Sequence, residues 1–162
     1  MKKKFFIGLF IVAAVGLLLS LLFFMNKANS EYQPQQNIQA PIEIPDTGIT
    51  TYQEVTDTEK PIVAMFYVDW CGYCRRFMPN FGKMAKKFSK DYNFVVVNCD
   101  NAENIQLVKD YHIMGFPTVY MIDNKLNHSF TLNMAGTEDL NIMKEELTKY
   151  TKFRNGILEK LQ

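Results

Sequence analysis

Asp69-Trp-Cys-Gly-Tyr-Cys-Arg-Arg-Phe-Met-Pro79 holds two of the chain's three cysteines, Cys71 and Cys74, spaced C-x-x-C. Upstream lies Pro-Ile-Val-Ala-Met-Phe-Tyr-Val, 61–68, a continuous apolar run rich in β-favouring residues. Such a run suits a strand buried on both faces. Downstream, Phe77, Phe81, Met84, Ala85 and Phe88 recur at helical spacing. They predict a helix over about 72–90 with one core-facing stripe. The cysteines therefore mark a strand-to-helix corner.

The pattern continues outward. Residues 93–99 read as a second buried strand. Asp100 with Glu103 three residues on predicts a capping box opening a helix to about 112. Residues 117–123 and 129–134 read as two strands joined by the turn Asn-Lys-Leu-Asn. A final helix is expected through 138–150, with Leu140, Met143 and Leu147 on one face. Before 61, a short edge strand is expected around Ile42 and Ile44, where prolines are tolerated. A weak helix is expected over 50–58. The order β-α-β-α-β-α-β-β-α specifies an α/β fold, a central mixed sheet flanked by helices.

The first residues follow different rules. Residues 1–4 are basic, and residues 5–25 carry neither charge nor proline. As a helix that stretch is roughly 31 Å long, close to the ~30 Å hydrocarbon core of a bilayer. It exceeds the apolar region of an ordinary cleaved signal peptide, which is about 7 to 15 residues. A transmembrane signal anchor is expected, with cleavage near Ala28-Asn29-Ser30 as the alternative. Lys2, Lys3 and Lys4 keep the N-terminus cytoplasmic by the positive-inside rule. The expected organisation is a cytoplasmic tail over 1–4, an anchor over 5–25, a polar linker over 26–39, a globular domain over 40–155 and a tail over 156–162. The linker region, 26–45, is rich in Asn, Gln and Pro, spans on the order of 25 Å and acts as a tether.

The net charge of +1 hides a split. All 17 acidic residues lie beyond position 25, whereas three of the 18 basic ones precede it. The exported part is thus slightly acidic, with no electrostatic footprint for nucleic acid.

Three readings of Cys71 and Cys74 compete. A structural zinc site needs four ligands, commonly from two C-x-x-C-like halves; Cys99, His112 and His128 do not supply a second half. A structural disulfide closing so short a loop constrains the unfolded chain little. A redox pair fits the placement. Unpaired N–H groups at a helix N-terminus favour a thiolate, and the thiolate is the nucleophile in disulfide exchange. Cys71 would attack, and Cys74, one turn in, would resolve the mixed disulfide.

Trp70-Cys71-Gly72-Tyr73-Cys74, Pro79 and the later Gly115-Phe116-Pro117-Thr118 together resemble the thioredoxin superfamily, over about residues 40–150. The resemblance implies a thioredoxin fold and a membrane-anchored thiol–disulfide oxidoreductase. It implies that Pro117 is cis and packs against the cysteines, and that Phe116 pairs its backbone with an extended substrate peptide. Trp70, Gly72 and Tyr73 would complete the substrate rim, and Gly136 would flank the groove. Protein thiols and disulfides would be substrates, with a membrane or soluble redox protein resetting the pair. No cofactor beyond the Cys71–Cys74 disulfide is implied.

The chain departs from thioredoxins proper in two respects. Their buried aspartate and its neighbouring lysine are replaced by Met65 and Val96, so Cys74 has no evident side-chain base. Gly72-Tyr73 stands in place of Gly-Pro, as in some periplasmic disulfide isomerases. The anchor and single domain resemble tethered reductases, and the dimerisation domain of periplasmic isomerases is not seen. The direction expected is therefore reduction, with oxidase, isomerase or a non-catalytic interaction module as alternatives. Asp69 is expected as a solvated loop acid, Cys99 as a small core residue, and Lys83, Lys86, Lys87 and Lys90 as a solvated helix face.

Overall fold

The computed structural model describes residues 16–21, 23, 40–55, 59–135 and 139–161. The chain divides into two compact units, Met1–Ile38 and Gln39–Gln162. In the first, residues 16–21 and 23 are helical. Among the described residues no helix is long and apolar enough to cross a membrane. Most of the anchor expected over 5–25, and all of the linker over 26–39, lie outside the described residues.

The second unit is built on five strands: β1 (Ile49–Thr51), β2 (Ile62–Tyr67), β3 (Asn93–Asn98), β4 (Thr118–Asp123) and β5 (His128–Thr131). Its helices are α1 (Gly72–Phe88), α2 (Ile105–Asp110) and α3 (Leu140–Leu158). The sheet order is β1-β3-β2-β4-β5. β1 and β2 run parallel to β3, whereas β4 pairs antiparallel with both β2 and β5. This is the expected mixed sheet.

Central β2 is buried at every position, and its alternation divides the core. Val63, Met65 and Tyr67 face one cluster with Phe77, Phe81 and Met84 of α1 and Met143 and Leu147 of α3. Ile62, Ala64 and Phe66 face the other, with Leu107 of α2 and the rings of Tyr111 and Tyr120. A strand covered on both faces has no side that must be polar, which is why 61–68 is apolar throughout. Each fully buried aromatic or aliphatic side chain contributes about 1.5–3 kcal/mol of transfer free energy.

Several local expectations are corrected. The edge strand is Ile49–Thr51, in parallel register with Phe94, Val95 and Val96, not the stretch around Ile42 and Ile44. Ile42 is buried without belonging to a strand. The helix expected over 50–58 is a single 3-10 turn, Tyr52–Glu54, following β1; residues 56–58 lie outside the described set. Pairing with β3 outweighs a weak helical propensity there. The capping box expected from Asp100 and Glu103 does not form. Asn101 is the N-cap of a 3-10 turn, Ala102–Asn104, which leads into α2.

α3 runs to Leu158, past its expected end at 150. Buried Asp123, at the end of β4, accounts for this. Its carboxylate accepts bonds from Tyr150 Oη at 3.0 Å and Arg154 Nε at 2.6 Å. Its other oxygen accepts the backbone N–H groups of Lys125 and Leu126, which shape the β4–β5 turn. A buried carboxylate is tolerated only when paired and fully hydrogen-bonded, so the helix must extend far enough to deliver Arg154. Burial, then the bond to Asp123, pushes the Tyr150 phenol well above its ordinary range.

Candidate functional site: the β2–α1 corner

β2 ends at Tyr67 and α1 begins at Gly72, so residues 68–71 form the corner at the carboxyl end of a central strand. The Cys71 N–H donates to Val68 O at 3.1 Å, which turns the chain. Cys71 then serves as the N-cap of α1, with extended backbone. Its Sγ accepts the Cys74 N–H at 3.1 Å. A sulfur in this position receives one of the unpaired donors of the first helical turn. The same donor and the helix dipole favour a thiolate there when the pair is reduced.

Cys71 and Cys74 are joined as a disulfide, with their Cα atoms 5.2 Å apart. Cys71 is 6% exposed and Cys74 is 0% exposed, so solvent reaches the first residue and not the second. Arg75 and Arg76 follow in the same turn. The Arg76 guanidinium lies over the Tyr73 ring, 4.6 Å from its centroid. Cations beside a helix N-terminus oppose its dipole but favour a neighbouring thiolate.

The remaining candidate residues gather at this end of the sheet. Thr118 pairs with Phe66 across β2 and β4, so Pro117, one step further, lies beside the corner. The Phe116–Pro117 peptide bond is cis. Phe116 packs on the cluster that contains both cysteines. The Trp70 ring meets Phe116 edge-on, with centroids 6.1 Å apart. Trp70 and Tyr73, on either side of Cys71 in the chain, are 62% and 65% exposed, so apolar side chains lie open beside a partly shielded sulfur. Gly72 is exposed at the mouth of the corner. Gly136 lies outside the described residues.

Met65 and Val96 stand directly opposite each other in the β2–β3 register. Both are buried in the cluster that holds Cys74. Apolar side chains thus face each other at these two positions, and neither Met65 nor Val96 can serve Cys74 as a base.

Asp69 departs from expectation. It is half-buried, not a solvated loop acid. Its Oδ1 accepts the Ile42 N–H at 2.8 Å, and its Oδ2 accepts a bond from Asn98 Nδ2 at 2.9 Å. Arg75 Nη2 donates to Asp69 O at 2.8 Å and Ala40 O at 2.7 Å. Residues on either side of the C-x-x-C pair thereby fasten the segment beginning at Ala40. Sequence reasoning missed Arg75 and Asn98. Their partners lie up to 35 positions away, and no local pattern announces them.

Cys99 lies one residue beyond β3, half-buried. Burial pushes its thiol up to about 11. Lys83, Lys86, Lys87 and Lys90 are exposed. His112 lies just past α2 at φ 49, with Nδ1 3.1 Å from Asp110 O. Among the described residues, no three His, Cys, Asp or Glu side chains gather in a group able to hold a metal ion.

The thioredoxin family model matches residues 47–149. The chain belongs to the thioredoxin family. Among curated proteins it is 36% identical over 75 residues to protein disulfide-isomerase 1 of Dictyostelium discoideum, covering 44% of this chain and 21% of that one. It is 33% identical over 78 residues to the chloroplastic thioredoxin-like protein HCF164 of Oryza sativa subsp. japonica, covering 48% of this chain and 30% of that one. The chain thus spans less than a third of the length of either relative. Among solved structures, the Trx4 domain of ERdj5 superposes with a TM-score of 0.55 at 19% identity, covering 67% of this chain and 99% of that one. That likeness concerns the thioredoxin fold alone.

Proposed function

We propose that this thioredoxin-family chain is a thiol–disulfide oxidoreductase acting on protein substrates. The observation that carries the reading is the asymmetry of the pair: Cys71 caps the helix with a donor on its sulfur, whereas Cys74 is sealed in the core. In the reducing direction the Cys71 thiolate attacks a substrate disulfide. One substrate sulfur leaves as a thiolate and a mixed disulfide forms. Cys74, giving up its proton, then attacks Cys71 Sγ, and the second substrate sulfur leaves. Two electrons pass to the substrate and the Cys71–Cys74 disulfide remains for a partner dithiol to reduce. Trp70, Tyr73 and Phe116 offer apolar contact to an extended substrate chain beside Pro117.

Residues 5–25 tether the domain to a membrane, with the domain on the extracytoplasmic side. The support is the uncharged run behind three lysines. Intact protein should sediment with membranes and resist alkaline extraction; a soluble product starting near Glu31 would mean cleavage.

Reduction is the direction we favour, from the anchor-plus-thioredoxin organisation. The test of function is turnover of a protein disulfide, such as insulin, driven by dithiothreitol. Cys71→Ser should abolish it; a variant that retains full function in cells would make the domain an interaction module. Equilibration with glutathione then gives the direction. A potential below about −230 mV supports a reductase, and one above about −180 mV an isomerase or oxidase, a reading favoured by the likeness to protein disulfide-isomerases.

A further inference from the structure

We propose that Asp69 and Asn98 form a positioning pair that holds Cys71 at the helix cap. The proposal rests on the redox reading of Cys71 and adds the residues that set its geometry. The corner, residues 68–71, leaves the sheet after β2. Its bonds to Val68 O and from Arg75 are local. The Asp69 carboxylate ties it to the rest of the domain, one oxygen to the Ile42 N–H and the other to Asn98 Nδ2.

Donor and acceptor logic makes this pair specific. Asn98 ends β3, and its Oδ1 accepts the Asp100 N–H at 3.0 Å. That bond fixes which way the amide points, so Nδ2 faces Asp69. Two donors therefore converge on position 69, and a carboxylate accepts both. An amide there would turn its own NH2 toward one of them and lose a bond. Asn98 is anchored a second time, because its backbone oxygen accepts a bond from Asn104 Nδ2 at 2.9 Å. The corner is thereby pinned to the carboxyl ends of two adjacent strands. The distance from Cys74 N–H to Cys71 Sγ depends on where the corner sits, and that contact favours the thiolate.

The pairing can be reversed. In the double variant D69N/N98D, the amide introduced at position 69 accepts from the Ile42 N–H and donates across to position 98. The carboxylate introduced at position 98 accepts that bond and the Asp100 N–H as well. All three bonds return, with the negative charge moved from the corner to β3. The charged and titratable side chains carried by the surrounding elements are Glu43 beside Ile42, Tyr67 at the end of β2, whose phenol interacts with both Asp69 and Asn98, Arg75 and Arg76 on α1, and Cys99 and Asp100 after β3; the series leaves all of them in place.

The measurement is the rate of Cys71 alkylation against pH in the reduced full chain, with the redox potential of the pair alongside. D69N should raise the Cys71 pKa by about one unit, which lowers the thiolate near pH 6 about tenfold and, with about threefold returned by the greater nucleophilicity of the more basic thiolate, lowers alkylation there about threefold to fourfold. N98D should raise it similarly, because two carboxylates then face each other and the corner is pushed off its seat. The double variant should return to within about twofold of the parent, each pKa unit being tenfold in thiolate. Asn98→Ala, which removes the bond to Asp69 and the one from the Asp100 N–H and adds no charge, should show a smaller fall than N98D and serves if D69N fails to fold. The proposal is overturned if the variants change the melting temperature and leave the pH profile in place. It is equally overturned if D69N and the double variant both speed alkylation, since charge rather than position would then govern Cys71. Because the readout is thiol chemistry, a parent chain that turns over no protein disulfide would defeat the proposed function and leave this test intact.

Discussion

Limiting alkylation of the reduced chain at pH 7 should mark Cys71 far ahead of Cys99, and Cys74 not at all. The Cys99 thiol is held up at about 11 by burial, so roughly one part in ten thousand is ionised at pH 7. A cysteine at a helix N-terminus in a C-x-x-C pair reaches a pKa of about 7 or below, and at 7 about half is thiolate. The thiolate ratio is then roughly 5,000 in favour of Cys71. The more basic thiolate is the better nucleophile, and a Brønsted slope of about 0.45 over four units returns roughly sixtyfold to Cys99. The net preference is about eightyfold, and the half-buried setting of Cys99 widens it. The assay is substoichiometric iodoacetamide followed by peptide mass mapping across pH 5–10. Cys71 labelling should level off near neutrality, while Cys99 labelling climbs about tenfold per pH unit. Equal labelling at pH 7, or parallel climbs, would refute the assignment of Cys71 as the attacking thiol. The same burial has a stability consequence. Cys99 titrates higher in the folded chain than in the unfolded one. Its contribution is therefore complete below about pH 9 and is lost as pH rises through about 11.

Gly82→Ala tests the packing of segment 40–47 on α1. A Cβ there would lie 2.9 Å from Pro45 Cγ and 3.0 Å from Pro45 Cβ. Overpacking costs about 1–3 kcal/mol and helix propensity returns about 1 kcal/mol. The urea midpoint should fall by the equivalent of about 1 kcal/mol; a rise would mean the segment yields freely. Met65→Asp places a carboxyl in the cluster that holds Cys74. It should speed the reductive half-reaction by taking the Cys74 proton, while lowering thermal stability because a buried acid lacks a partner. Stopped-flow mixing of the reduced variant with a disulfide substrate checks this. An unchanged rate in a folded variant would mean that Cys74 loses its proton by another route.

The elements that read clearly are those whose signal is local and repeated. Residues 61–68 are apolar because β2 is covered on both faces, and the stripe of Phe77, Phe81 and Met84 is set by the turn of α1. The cysteines and Trp70 were legible from their place between a strand and a helix, whereas segment 115–118 was legible only through the resemblance to the thioredoxin superfamily, since it is the pairing of β4 with β2 that brings it to the corner. Thr50 and Thr51 fall within the helix expected over 50–58 because the three residues of β1 carry too little periodicity to announce a strand. Pairing with Phe94, Val95 and Val96 makes them a strand. Asp100 offered a plausible cap, yet the chain caps at Asn101 once Asn98 has taken the Asp100 N–H.

By itself the sequence determined the alternation of strands and helices, the strand-to-helix placement of Cys71 and Cys74, and the apolar replacements Met65 and Val96. The first two follow from the chemistry of neighbouring residues and the periods of helix and strand, and the third from the resemblance to thioredoxins. Tertiary structure decided which polar groups meet: Asp69 with Ile42 and Asn98, Arg75 with Ala40, and Asp123 with Arg154. Those partners lie 27 to 35 positions apart. A hydrogen bond is directional and short, so its existence depends on how the sheet brings distant backbone together.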